Sequence, residues 1–133
     1  MHFEKYAKKY GDYLFFLFRV LVGLLFAQHG AQKLLGLFGG KPVQLLSLMG
    51  VAGAIELIGG LLIAVGLFTR LVALIAGIEM ITAYFMAHAK SGLIPIQNKG
   101  ELALLFLAAF LVLKVYGAKK WSLEEALFKK ETF

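Results

Sequence analysis

The stretch Gly53–Met80 reads GAIELIGGLLIAVGLFTRLVALIAGIEM, and two residues within it, Thr69 and Arg70, decide the fold. No charge interrupts the chain from Leu57 to Phe68 before them or from Leu71 to Ile78 after them. A link as short as Thr-Arg between two such runs leaves room only for an antiparallel helical hairpin. Working outward, the apolar runs extend to Val43–Phe68 and Leu71–His88, with Tyr13–Phe38 upstream and Leu102–Tyr116 downstream. A bilayer core about 30 Å thick needs about 20 helical residues. All four runs meet that length, the last only with Glu101 or Gly117 at its interface. The expectation is an all-α integral membrane protein with a four-helix transmembrane bundle over 13–117, an interfacial arm at 1–12 and an interfacial tail at 118–133.

Composition gives the same class. Of 133 residues, 60% are hydrophobic and 17% charged, with mean hydropathy +0.80. Soluble domains carry about 45–50% apolar and about 25% charged residues. The basic excess, 14 Lys and Arg against 8 Asp and Glu, sits at segment ends. It forms no stripe interleaved with aromatics, so nucleic acid is not an expected partner. The first apolar run follows a polar stretch of a dozen residues and is too long for the core of a secretory signal, so none is expected. There is no cysteine. Disulfide exchange, zinc ribbons and cysteine-ligated iron–sulfur clusters are therefore excluded for this chain acting alone, and no covalent cofactor is expected.

The links are short: Gly39-Gly40-Lys41-Pro42, then Thr69-Arg70, then Ala89–Gly100. Gly39 and Gly40 suit a helix end and Pro42 a first helical turn. The N-terminal arm, Arg70 and the tail (Lys119, Lys120, Lys129, Lys130) carry eight Lys and Arg, against three for Lys41, Lys90 and Lys99. The positive-inside rule then places both termini in the cytoplasm of a multi-pass cell-membrane protein. In the arm, Phe3, Tyr6 and Tyr10 recur at helical spacing, as in a short helix lying among headgroups. In the tail, Ser122 and Glu125 form a capping box beside Trp121, an interface anchor.

Polar groups inside the apolar runs carry the functional reading. An ionisable side chain at a transmembrane helix centre costs at least about 2.5–3.5 kcal/mol, so it faces other helices and finds partners. Arg19, Gly23, Gly30 and Lys33 fall on one stripe of the first helix, with His29 on its flank. Ala52, Glu56, Gly60 and Ala64 recur every four residues on the second, a small-residue pattern for close helix approach; Ala76, Glu79 and Ala83 repeat it on the third. The depth estimate puts Glu56 and Glu79 near the midplane. Arg19 falls in the cytoplasmic half, where it can pair with Glu79 or Glu56. His29, Lys33, His88 and Glu101 fall towards the outer side, around a cavity.

Each residue also has a plainer role open to it. Arg19 with Glu79 reads as a structural ion pair, because breaking a buried pair costs about 3–5 kcal/mol. Lys33, Gln28 and Gln32 can snorkel from a helix end, and Gln28 and Gln32 face away from the Arg19 stripe. His29 and His88 lack the companion ligands of a metal site, so none is expected. Imidazole with a desolvated carboxylate can instead handle protons.

The segments FRVLVGLLFAQHGAQKLLGLFGG (Phe18–Gly40), GAIELIGGLLIAVGLFTRLVAL (Gly53–Leu74), the histidine ending the third run and NKGELALLFLAAFLVL (Asn98–Leu113) together resemble the DoxX family of small four-helix membrane proteins. Arg19, Gly30, Lys33, Glu56, Gly59, Gly60, Thr69 and Arg70 match the family pattern; His88, Asn98 and Glu101 match it more loosely. The resemblance implies an association with oxidoreductases, including membrane subunits that pass electrons to quinone. With no electron carrier of its own, the chain would act as one subunit with bound quinone and a partner protein or a second copy. On this reading Glu56 and His88 exchange protons, while His29, Lys33 and Glu101 surround the quinone head group. The alternative is a non-catalytic anchor or assembly subunit binding lipid or partner proteins. Solute transport is less supported, because no inverted repeat or paired helix interruption is present.

Overall fold

The computed structural model describes residues 2–129; Met1 and residues 130–133, with Lys130 of the basic tail, lie outside the described residues. All regular structure among the described residues is helical. The elements are α1 (His2–Leu35), α2 (Leu48–Val65), α3 (Thr69–Ala83), the short α4 (Pro95–Asn98), α5 (Glu101–Tyr116) and α6 (Leu123–Phe128). Beyond Ala83, α3 continues through a π turn at Tyr84–His88 and a 3-10 turn at Ala89–Ser91. Three of these helical stretches are long and apolar enough to cross a membrane: His2–Leu35, Leu48–Val65 and Thr69–Ser91.

α1 differs from expectation at its start. The arm is not a separate interfacial helix: α1 runs unbroken through Gly11 for 34 residues, about 51 Å at 1.5 Å per residue. A single glycine in a helix costs only about 1 kcal/mol against alanine, too little to end so long a helix. The first link also differs. Gly36, at φ 68°, follows the end of α1, and a Cβ there would meet the Pro42 ring. Pro42 thus packs in the loop and not in a first turn. Ser47 caps α2, accepting from Gly50 N at 3.0 Å.

The Thr-Arg hairpin forms as expected, with its turn one step earlier. Gly66 takes the left-handed conformation that ends α2, φ 74°, while Thr69 and Arg70 open α3. α5 has 16 residues, about 24 Å, and is shorter than the three candidate spans.

Helices pair as α1 with α2 and α3 with α5; α2 also meets α3, and α1 touches α5. Buried residues of α1 recur as Arg19, Val22, Gly23, Phe26, Ala27, Gly30 and Ala31, the spacing of one helical face. The core joins Phe26, Ile63, Ala76, Phe106, Phe110 and Leu113, with the Phe26 and Phe110 ring centroids 4.8 Å apart. Large apolar side chains elsewhere, such as Leu24, Ile58 and Leu105, are exposed, as suits a lipid-facing surface.

The tail is built into one end of this fold. Arg19, fully buried, donates to the carbonyls of Ala118 (2.7 Å), Lys120 (3.1 Å) and Trp121 (2.8 Å). Glu124, also buried, accepts from Phe68 N at 3.0 Å, and its own amide donates to Gly66 O. Ser122 caps α6 through Glu125 N, and Trp121 packs on Tyr13 at 5.1 Å. The expected Arg19–Glu79 ion pair does not form. Arg19 turns to the carbonyls of this non-helical segment, and Glu79 meets the Glu56 carboxyl instead.

Candidate functional site

The site begins with the seam between α1 and α2. Added Cβ atoms at Gly23 and at Gly60 would each lie 2.5 Å from the other's carbonyl oxygen. The glycines at 23, 30 and 60 thus let the two backbones nearly touch. This contact sets Lys33 of α1 beside Glu56 of α2, with Nζ 2.5 Å from Oε1. Glu56 is 3% exposed, so the ammonium supplies its partner; the Lys33 side chain is partly exposed.

Two cavities flank this ion pair, and both are walled by Lys33, Glu56, Ala83 and His88. One, about 270 Å³, adds His29, Lys99 and the rings of Phe26 and Phe106. The other, about 520 Å³, lies between α2 and α3. Its apolar walls include Met49, Ile55, Ile75, Ile78 and Met86, several of them also exposed on the outer surface. Glu79 lies on its wall, facing Glu56 and Lys33.

The π turn and the link after it position His88. Inserting one residue into the helical ladder re-aims the side chains that follow. Nδ1 of His88 sits 3.1 Å from Asn98 O. A carbonyl only accepts, so Nδ1 carries the proton and Nε2 is the ring's acceptor. Asn98 holds the link together: its amide donates to Tyr84 Oη (3.0 Å) and Gly92 O (2.9 Å) and accepts from Gly100 N (2.8 Å). Tyr84 Oη in turn donates to Leu93 O.

The structure therefore brings His29, Lys33, Glu56 and His88 together. Glu101 is not with them: it is exposed in the first turn of α5, where a carboxylate meets the positive end of the helix, and it lines neither cavity. Lys99 occupies the place expected of it. Arg19 is also distant, 14 residues or about 21 Å along α1 from Lys33.

Glu79 and Oε2 of Glu56 are the chemically open groups. These three carboxyl oxygens are buried and meet no amine, amide or hydroxyl donor among the described residues; the Glu79 and Glu56 carboxyls bond each other instead, an arrangement that holds a proton between them. A buried acceptor without a donor costs about 1–3 kcal/mol, more if charged. The arrangement can therefore bind a small molecule through Lys33 as a donor and through the polar groups of Glu56, Glu79 and the histidines.

The family model of DoxX matches residues 14–89, more than half of the chain. The chain belongs to the DoxX family. A Haemophilus influenzae protein named "Uncharacterized protein" is 39% identical over 130 residues, covering 92% of this chain and 97% of its own. A Bacillus subtilis protein named "Putative oxidoreductase CatD" is 32% identical over 120 residues, covering 85% of this chain and 86% of its own. No solved structure matches the chain. The DoxX match spans Lys33, Glu56, Glu79 and His88, while Asn98, Lys99 and α5 lie beyond it. The DoxX chain is a membrane protein by its family and its apolar helices.

Two site features have no clear mark in the sequence. Asn98 stands there only as part of a motif, because its network needs the π turn to bring Tyr84 within reach. Depth alone pairs Glu79 with Arg19, whereas its place beside Glu56 follows from how α2 and α3 face each other.

Proposed function

We propose that this DoxX protein is the membrane subunit of an oxidoreductase system and that the cavity between α2 and α3 binds a lipid-soluble quinone. The observation that carries the reading is the Lys33–Glu56 ion pair, placed as the common wall of two cavities, one that also holds His29 and Lys99 and one almost wholly apolar. At about 520 Å³ the apolar cavity is in the range of ligand sites, which hold an apolar body with a few placed polar groups. A quinone, when bound, supplies the two-electron redox chemistry that this chain's own side chains lack. Lys33 is the donor available to a ring oxygen, and Glu56 and His88 are the groups available to exchange protons. His29 walls the adjoining cavity, a route for protons to the ion pair. The oxidoreductase in the name of the Bacillus subtilis relative supports the class.

In this reading α1, α2, α3 and α5 all cross the cell membrane, with both termini in the cytoplasm. A contact between the arm and the tail supports placing both on one side: Lys120 Nζ is 3.1 Å from Asp12 Oδ2, and Tyr13 packs on Trp121.

A photoreactive quinone tests the site in membranes carrying the full chain. Labelling should fall on peptides of α2 and α3 and be lost in Ile55→Trp, which fills the cavity. Labelling elsewhere, or none, sinks the reading. The second reading, an assembly subunit, is favoured by α5, whose 16 residues and exposed apolar side chains suit a covering partner. Co-purified subunits without quinone would select it.

A further inference from the structure

We infer that Glu56 and Glu79 share one exchangeable proton across the contact of α2 with α3, and that Glu79 is the residue that presents this proton to the ligand of the cavity between them. The inference rests on the quinone reading above for the ligand and adds to it the acid that faces that ligand.

The contact itself requires the proton. Glu56 gives Oε1 to Lys33, which leaves Oε2 as the oxygen free for the Glu79 carboxyl it meets. A carboxylate has no hydrogen to offer, so a bond between two carboxyls needs a proton on one of them. The neighbours fix the count. The charged and titratable groups around the pair are Lys33 from α1, His88 from the π turn and, across the adjoining cavity, His29 and Lys99. Two buried carboxylates side by side repel, whereas two neutral acids would leave the Lys33 ammonium without its counter-ion. One proton on the pair leaves a single negative charge against the single ammonium in contact. That ammonium touches Glu56, so the charge rests there and the proton on Glu79. Thr82, one turn from Glu79, supplies no substitute hydrogen, because its hydroxyl is spent on Ile78 O at 2.9 Å.

Position decides which acid meets the ligand. Glu56 walls both cavities, but of the two Glu79 walls only the one between α2 and α3. The last torsion of a glutamate is soft and roughly two-fold, so a half-turn carries the Glu79 hydrogen from Glu56 to an oxygen in the cavity. Lys33 keeps N–H donors beyond the one spent on Oε1, and these hold the Glu56 carboxylate meanwhile. A fresh proton reaches Glu79 through Glu56, which also opens on the cavity of His29 and Lys99. The pair is thus a one-proton relay between the cavities, with Glu79 as its ligand-facing end.

Infrared spectroscopy of the full-length protein in lipid nanodiscs at neutral pH tests each part, with decylubiquinone as the probe and calorimetry to follow its binding. A protonated-carboxyl C=O band should be present and should move in deuterium oxide. It should be lost in Glu79→Gln, whose amide still donates to Glu56 and so keeps the helix contact. Decylubiquinone should move the band in the wild type, a response that a purely structural pair would lack. Should Glu79→Gln fail to fold, Glu56→Gln leaves one carboxylate against one ammonium and should lose the band as well. No band in the wild type, or an unchanged band in either folded variant, overturns the shared proton. A band that ignores deuterium oxide overturns the relay. A band that stays in place while decylubiquinone binds overturns Glu79 as the ligand-facing acid and leaves the quinone site standing. No binding of decylubiquinone overturns the quinone reading itself, and with it the ligand's part of the inference.

Discussion

Lys33 Nζ lies 2.5 Å from Glu56 Oε1, joining α1 to α2 where two cavities share a wall. The pair is asymmetric, with the carboxylate buried and the Lys33 side chain 25% exposed. Removing the ammonium strands a buried carboxylate, so Lys33→Met should cost about 3 kcal/mol, the low end for a buried pair. Lys33→Met with Glu56→Leu should recover most of it, because no charge is left uncompensated. Thermal unfolding in detergent of the single and double variants checks this. A double variant no more stable than the single would show that the pair is not the source of the loss.

The seam beneath that pair tolerates no side chain. Gly60→Leu would drive a branched side chain into the backbone of Gly23 and Ala27, so α1 and α2 must separate. A cost of about 3 kcal/mol or more is expected, with loss of the Lys33–Glu56 contact. Gly77→Ala is the control: its Cβ would meet nothing nearer than Leu107 Cδ1 at 3.6 Å, an ordinary contact. That variant should be neutral or stabilising by up to about 1 kcal/mol, the helix preference of alanine over glycine. Comparable losses from both substitutions would contradict the close approach of α1 to α2.

What the sequence carried, and what it did not, follows from the range of the interactions involved. Helix spacing alone placed Gly23, Gly30 and Lys33 on one face of α1 and Glu56 with Gly60 on one face of α2. The hairpin at Thr69 follows from a link too short for any other connection. Arg19 was legible as buried, but its partners are carbonyls of Ala118, Lys120 and Trp121, about a hundred residues away, and carbonyls leave no mark in a sequence. Periodicity also could not pair Glu79, since a helical face does not say which neighbour it meets. The π turn at Tyr84–His88 shifts the period of α3 and so moves His88 away from where a regular helix would aim it.

Arg19 is the tie that seats the tail. Arg19→Ala would leave the carbonyls of Ala118, Lys120 and Trp121 without their donor in a buried setting, and hydrogen bonds to a charged group contribute about 1.5–3 kcal/mol each. The tail should lift from the Gly66–Phe68 turn, exposing Lys119 and Lys120 to trypsin. Arg19→Lys keeps the charge but not the planar fork, so it should give partial protection. Wild-type resistance in Arg19→Ala would mean that Glu124 and Ser122 hold the segment without it.

Asn98 governs the far end of the site without lining either cavity. Its side chain ties Tyr84, Gly92 and Gly100 together while its carbonyl meets His88. Asn98→Ala removes three hydrogen bonds at a buried position and leaves the Gly100 amide without its acceptor, for an expected loss of about 2–4 kcal/mol at roughly 1 kcal/mol or more per bond. The effect should be local. Amide exchange should quicken over residues 84–100, while α1 and α2, which share no hydrogen bond with Asn98, keep their protection. Asn98→Asp retains the acceptor for Gly100 but forfeits the donors to Tyr84 and Gly92, so it should loosen the π turn and spare the start of α5. Uniform acceleration along the chain would instead mean that the link supports the whole fold, and that His88 is held by the packing of α3 against α5.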